Sequence, residues 1–388
     1  MWQEACTLRD AGYRVSIIAP RERGQRARET LDGIEVYRHP ALPDASGALG
    51  YTIEYGMALF WETLFAFRAL VGSGFDVVHV SNPPDTLFLV GGLFKAVFAK
   101  KLVFDHHDLC PELYEAKFGR KDLPLGLLAK LERWSIKAAD IVISTNESYR
   151  QVAIARGGKD PSRVFVVRNG PDLGRLRPVA PIPALKNGCQ HLVGYVGVIG
   201  PQEGLQHLVR AAAFIIRDCR RSDVHFAVVG SGSDLDNNRR LAKALGVGDH
   251  FTFTGRVSDQ VLLEYLNTAD LCVGCDDFNA LNDRSTMIKI MEYMALGKPV
   301  VQFALTEGSI TAREASLYAR PGDHVDFARK ILTLLDDPAR RTVMGQLGRT
   351  RIERELAWDR QVPMLLAAYD ALWADSADLA PAAGASSR

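Results

Sequence analysis

The run FDHHDLCPE, Phe104–Glu112, closes a β-branched stretch with two adjacent histidines and an aspartate, His106, His107 and Asp108, and carries on into Glu112 and Glu115. A histidine at a strand end can donate to a hydroxyl or to a developing negative charge near neutral pH, because its ordinary pKa is about 6.5. For His106 a ring that only caps the turn weighs equally. A second run, RSTMIKIMEYMALGKPVV, Arg284–Val301, reads as loop, helix and buried strand, the arrangement that presents a helix N-terminus to a phosphate. Its loop carries Arg284, Ser285, Thr286 and Met287, with Ser285 as the expected N-cap, and Met287, Ile290, Met291, Met294 and Ala295 recur at core spacing. Lys289 and Glu292 share another face. They read either as an exposed ion pair worth about 0.2–0.5 kcal/mol, or as a cation for phosphates and an acid for ribose hydroxyls. A third run, YVGVIGPQEGLQHLV from Tyr195, sets Gly197, Gly200 and Gly204 where a strand turns into a helix. Neither it nor Gly230 and Gly232 has dinucleotide spacing.

The elements that must position these groups alternate along the chain. Strands are expected at YRVSIIAP, IEVYRHP, FDVVHVSN, KLVFDHHD, DIVISTN and RVFVVRNG, then at HLVGYVGV, VHFAVVG, HFTFTGR, DLCVGC, PVVQFAL and SLYARP. Helical patterns fill the gaps, which argues for parallel sheets with crossover helices in two doubly wound halves. In such sheets ligands lie beyond the carboxyl ends of the strands, where the histidines and the glycine loop fall. GPDLGRLRPVAPIPALKNG, Gly170–Gly188, concentrates Pro and Gly between the halves. The expected divisions are 1–180, 181–355, a helix over 356–374 and a disordered tail over 375–388. The chain opens with helix, Gly turn and strand, so the first sheet is expected to lack a leading central strand and its loop.

The composition narrows the classes. With 388 residues, 47% of them hydrophobic, two cores can form, and 47 basic against 46 acidic residues leave no overall attraction to nucleic acid. Six cysteines are scattered, which suits a reducing cytoplasm, and the lone C-x-x-C at Cys272 and Cys275 reads as small residues at a strand end rather than a metal site. The apolar helix Met57–Val71 is interrupted by Glu62 and Arg68, so it is expected to be a core element with a wet edge. The Arg-rich stretch Glu22–Gly33 is expected to be a solvated loop.

FDHHDLCPELYEAKFG, STNESYRQVAIARGG, VVRNGPDLGRLRP, FTGRVSD and IMEYMALGKPVV together resemble glycosyltransferase family 4, retaining enzymes of GT-B architecture. The resemblance covers nearly the whole chain and is nearest to members from bacterial surface-polysaccharide gene clusters. It implies two Rossmann-like domains facing across a cleft, an acceptor on the first domain and a UDP- or GDP-linked sugar on the second. It implies further that anomeric configuration is retained, that no metal is bound, and that the C-terminal helix around Trp358 returns to the first domain. By the same resemblance His107 stands beside the donor sugar with Asp108 next to it. Glu292 holds the ribose, Arg256 and Val257 pass the base, and the turn of Asn169, Gly170 and Asp172 is structural.

Three departures accompany it: the missing first strand, Arg284 where the family has its first glutamate, with Asp283 as a stand-in, and Val198 and Glu203 where the family clamps the diphosphate with arginine and lysine. Arg284 and Lys289 are expected to supply that charge. The resulting reading is a cytoplasmic sugar transferase acting on a glycan or lipid-linked acceptor, with contact at the inner face of the plasma membrane left open. The alternatives are a nucleotide-sugar epimerase or hydrolase on this scaffold, or an inactive truncated glycosyltransferase homologue.

Overall fold

A computed structural model describes residues 1–22, 24–41, 47–120 and 122–374; the expected tail 375–388 lies outside the described residues. Met1–Arg168, with the chain from Gln361, forms one compact unit, and Asn169–Arg360 forms the other.

The first unit runs α1 (Trp2–Asp10), β1 (Ser16–Pro20), β2 (Arg28–Leu31), β3 (Ile34–His39), α2 (Gly47–Gly72), β4 (Val77–Ser81), α3 (Phe88–Phe98), β5 (Lys101–His106), α4 (Cys110–Phe118), α5 (Leu123–Ala138), β6 (Ile141–Ser144), α6 (Glu147–Ala155) and β7 (Val164–Val166). Its strands form a parallel sheet β4-β5-β6-β7 and a separate sheet ordered β1-β3-β2. In these pairings β1 and β4 each have a partner on one side only.

The strand β2 corrects the expectation of a solvated loop over Glu22–Gly33. It pairs antiparallel with β3 through Asp32 and Gly33, both at positive φ, 47° and 79°. That is the geometry an Asp-Gly pair favours in a two-residue hairpin. Two of its neighbouring arginines are held on the sheet: Arg28 lies 2.7 Å from Glu35 and 5.0 Å over the Tyr37 ring, and Arg38 pairs with Glu29.

The second unit runs β8 (His191–Val196), α7 (Leu205–Ala213), β9 (Val224–Val229), α8 (Leu235–Ala244), β10 (Phe251–Gly255), α9 (Asp259–Thr268), β11 (Leu271–Gly274), α10 (Ala280–Arg284), α11 (Ile288–Ala295), β12 (Val300–Phe303), α12 (Thr306–Ala312), β13 (Ser316–Ala319), α13 (His324–Leu335) and α14 (Pro338–Arg351), after which α15 (Trp358–Asp370) begins. One parallel sheet is ordered β10-β9-β8-β11-β12-β13. Every residue of β8, β9, β11 and β12 is buried, as a sheet covered by helices on both faces requires. The two-residue period divides these strands between two cores. Val193, Tyr195, Phe226, Val228 and Phe303 enter one, while Leu192, Val196, Ala227, Val229 and Val300 enter the other. Cys272 lies in β11 and Cys275 just beyond it; both are buried free thiols.

The chain divides earlier than the expected break at 180, because the Pro-rich segment already packs on the second unit. Leu176 is fully buried in its core, with Leu173 and Val179 packed against it. Gly170 is held there too: a Cβ would lie 2.3 Å from the Leu356 carbonyl oxygen, and Trp358 N–H donates to the Pro171 carbonyl at 3.1 Å. Gly170→Ala should therefore lower stability by about 1–3 kcal/mol. Gly126, in the first turn of α5 with open space around its Cβ direction, should show the opposite sign. Gly126→Ala should raise stability by about 0.5–1 kcal/mol in denaturant titrations.

Candidate active site

In the first unit the site is built at the carboxyl end of β5. Asp105 is 1% exposed, and its Oδ2 lies 2.7 Å from His107 Nε2 and 3.4 Å from His79 Nε2 on the neighbouring β4. His79 is itself oriented by the Tyr369 hydroxyl, 2.8 Å from its Nδ1. Glu4 of α1 joins them: a carboxylate oxygen of Glu4 and one atom each of Asp105 and His107 lie within 4.8 Å of one another. Burial by itself would raise the Asp105 carboxyl, but the two imidazoles outweigh it and hold the group well below the usual carboxylate range. Burial likewise works against His107⁺, and Asp105 overcomes it, so the imidazole stays charged to higher pH than usual.

Asn82, just past β4, fixes the loop that carries this pair. Its side-chain oxygen accepts the N–H groups of His107 at 2.8 Å and Asp108 at 3.2 Å, while its amide donates to Asp85 at 2.8 Å and to the Asp108 carbonyl at 2.6 Å. Burial pushes Asp85 up to about 6 and raises Asp108 as well. The two adjacent histidines part company. His107 stays at the partly open strand end, whereas His106 is fully buried between Phe104 and Tyr149, 3.3 Å from Glu132. Glu132 and Glu112 both pair with Arg156, so Glu112 belongs to a buried structural network.

In the second unit the glycine loop after β8 is tied to the loop after β9. Gly197 N–H donates to Val229 and Ile199 N–H to Ser231, each at 3.1 Å, so these donors are already used. Gly197 and Gly204 sit at φ 153° and 66°, and a Cβ on Gly204 would lie 2.0 Å from the Cys275 carbonyl oxygen. Gly200, at φ −102°, has ordinary backbone geometry.

Lys289 departs most from expectation. Instead of an exposed partner for Glu292 it is 8% exposed, with its ammonium 2.6 Å from Asp276, 3.0 Å from Glu203 and 5.1 Å over the Tyr195 ring. Burial opposes the charge, yet the two carboxylates raise its pKa well above the ordinary value. Its charge is thus engaged inside the fold, and with both acids ionised the cluster carries a net negative charge. Glu292 pairs instead with Arg175, which also reaches Asp259 at 3.2 Å, and burial raises the Glu292 carboxyl.

Ser285 is not the N-cap of α11, which starts at Ile288 after Met287; the Ser285 hydroxyl donates back to the Leu281 carbonyl at 2.8 Å. Thr286 lies 3.5 Å from the buried Glu307. Asp283, the expected stand-in acid, accepts the Thr306 N–H and hydroxyl at 2.8 and 3.0 Å and so anchors the start of α12. Arg284 ends α10, Arg256 is exposed beyond β10, and Val257 packs on the core. Sequence reasoning missed Asp105, Asn82, His79, Glu4, Asp276 and Arg175. Asp105 alone carried a signal, lying two positions before His107 in the same strand-end run.

Each unit thus contains a parallel α/β sheet, the first with an imidazole–carboxylate couple at a strand end and the second with a glycine loop tied to the neighbouring strand. Residues 1–170 match the model described as glycosyl transferase 4-like domain and residues 190–337 the one described as glycosyl transferases group 1. The chain belongs to glycosyltransferase family 4, with the GT-B fold.

Among curated relatives, it is 28% identical to a D-inositol 3-phosphate glycosyltransferase of Thermomonospora curvata over 72% of this chain and 68% of that one. It is 27% identical to a 2-deoxystreptamine glucosyltransferase of Streptomyces kanamyceticus over 63% and 64%. Matches to these and further inositol phosphate glycosyltransferases span about two-thirds of the relatives' length or less. Among solved structures, sucrose-phosphate synthase from Thermosynechococcus elongatus superposes with a TM-score of 0.78 at 22% identity, over 96% of this chain and 92% of that one. Anabaena HepE in complex with UDP-glucose gives 0.68 at 18% identity, over 87% and 86%.

Two outcomes test this geometry. Lys289→Met strands the buried Asp276 carboxylate and the half-buried Glu203 and should cost about 3–5 kcal/mol of unfolding free energy, most of it recovered when Glu203→Gln and Asp276→Asn are added. The His107–Asp105 couple has a pH window. The raised His107 pKa contributes stability fully below about 6.5 and loses it as pH rises through the folded value, while the lowered Asp105 pKa contributes above about 3.9 and loses it as pH falls. The stability difference between wild type and His107→Gln should therefore peak between about pH 4 and 6.5 and shrink on either side in urea titrations.

Proposed function

We propose that this protein transfers a sugar from a UDP- or GDP-linked donor to a glycan or lipid-linked acceptor with retention of anomeric configuration and without a metal, in cell-surface polysaccharide synthesis at the cytoplasmic side of the membrane. The observation that carries the reading is the His107–Asp105 couple at the β5 end, in a chain whose two units match the two domain models of the family. A charged imidazole held in one orientation donates to a sugar hydroxyl or to oxygen that gains negative charge as the diphosphate departs. Asp108, set beside it by Asn82, is the second group of this strand end. Among the described residues no helix is long and apolar enough to cross a membrane.

On the donor side Glu292 holds the ribose, with Arg175 as the partner that must yield to it. Because Lys289 is engaged by Glu203 and Asp276, the cation for the diphosphate is Arg284, with the start of α11 adding backbone donors. Ser285, Thr286 and Met287 line that start, Gly197 and Gly200 allow close approach, and Arg256 and Val257 pass the base. Arg284→Gln should raise the donor dissociation constant about tenfold; unchanged donor affinity would remove Arg284 from the site.

A second reading is favoured by one observation. The Glu203–Lys289–Asp276 cluster places negative charge at the glycine loop, as an inactive homologue would. Thermal stabilisation by UDP, GDP and their sugars, with Mg²⁺ and with EDTA, separates the two. At a hundredfold excess over Kd a bound donor contributes about 2.7 kcal/mol and shifts melting by several degrees. A shift with one base that survives EDTA supports transfer without metal, and no shift with any donor supports the inactive reading. The anomeric configuration of the product, read by NMR, tests retention.

A further inference from the structure

The outward face of α5 is not the face of an ordinary surface helix. Leu123, Leu127, Lys130, Trp134 and Lys137 recur at i, i+4, i+7, i+11 and i+14, so they line one narrow stripe. That stripe points to solvent: Leu123 is 91% exposed, Leu127 53% and Trp134 49%, and Lys130 and Lys137 are exposed with them. The opposite face, with Glu132, Ser135 and Ile136, is the buried one. Arg133 flanks the outward stripe, and the only acid within the helix, Glu132, is turned inward onto Arg156. The outward face therefore holds three cations and no carboxylate, with Asp122 at the helix start.

The neighbouring α3, which packs against α5, also exposes large apolar groups, with Leu89 at 50% exposure, Leu93 at 38% and Val97 at 61%. A monomeric surface rarely leaves so many large apolar groups together in water without a use for them.

We propose that this face of α5 and α3 docks on an anionic lipid bilayer, lying in its interface without spanning it. The choice of partner rests on the interleaving of charge with apolar groups. The core of a protein contact is depleted in lysine, whereas at a bilayer the stems of Lys130 and Lys137 lie along the apolar stripe while their ammonium groups reach the headgroups. Trp134 suits the headgroup level, where one side of the ring is apolar and the N–H is wet. A second copy of the same face would bring three cations against three. The proposal deepens the lipid-linked acceptor of the proposed function by holding the transferase at the surface where such an acceptor resides.

The test is co-sedimentation of the full chain with phosphatidylcholine vesicles, with and without 30% phosphatidylglycerol. Wild type should pellet with the anionic vesicles, release as salt is raised, and ignore phosphatidylcholine alone. Each cation near an anionic surface strengthens partition about fivefold, so Lys130→Glu, Arg133→Glu and Lys137→Glu together should weaken it at least about a hundredfold. Leu123→Ser with Leu127→Ser and Trp134→Ser should abolish binding while melting temperature stays near wild type, since these side chains face solvent. Wild type that stays in the supernatant, or variants that pellet as wild type does, would overturn the proposal. So would a lipid-free sedimentation coefficient that falls in the Leu123→Ser set, which would mark the face as a contact between copies. Donor-induced thermal stabilisation of the same variants reads the transferase separately, so loss of vesicle binding with donor binding intact leaves that reading standing.

Discussion

The second unit is organised around one buried ammonium. Lys289 brings together four places in the chain: Tyr195 on β8, Glu203 at the end of the glycine loop, Asp276 after β11, and its own helix α11. An ammonium taken from water is unfavourable unless carboxylates meet it closely, so the loop and the two strand ends have to assemble in one geometry. The glycine loop depends on it twice over. Gly204 closes against the Cys275 carbonyl and Glu203 reaches Lys289 one residue earlier, so the turn is pinned by a steric contact and by a charge. The lysine beside the glycine loop is thus engaged by two carboxylates inside the fold.

Unit 1 repeats the device with the signs reversed. There a buried carboxylate, Asp105, is met by two imidazoles, and the carboxylate decides which ring nitrogen of His107 is occupied and how long it stays protonated. Asn82 holds the following loop through both ends of its amide, so the position of His107 does not depend on its own contacts alone. Both sites thus consist of one charge that burial would expel and opposite charges that keep it. Their electrostatic character is set by the core beneath them more than by the side chains that reach the surface.

This explains which parts were legible. Strand positions were readable because the strands of a buried parallel sheet are continuous apolar runs, and all twelve expected strands are present. The missed strand, β2, is short and rich in charge, and its signal was the Asp-Gly turn rather than hydrophobicity. At the sites the one-dimensional pattern failed in a consistent way. Lys289 and Glu292, three apart on one helix, read as partners, yet each is taken by a residue distant in sequence, Asp276 and Glu203 for the lysine and Arg175 for the glutamate. Helical spacing tells which residues share a face; it carries no information about what that face meets.

The sequence by itself determined the class of fold, the family and the position of His107 at a strand end, because apolar periodicity, turn residues and a local motif are properties of neighbouring residues. Tertiary structure alone decided that His106 enters the core while His107 does not, that Asp283 anchors a helix, and that Lys289 is neutralised before any ligand arrives. It alone decided, too, that the apolar stripe of α5 faces water. Each of these depends on which charges and surfaces lie within a few ångströms across the fold, and Coulomb energy and burial are set by that distance and not by separation along the chain.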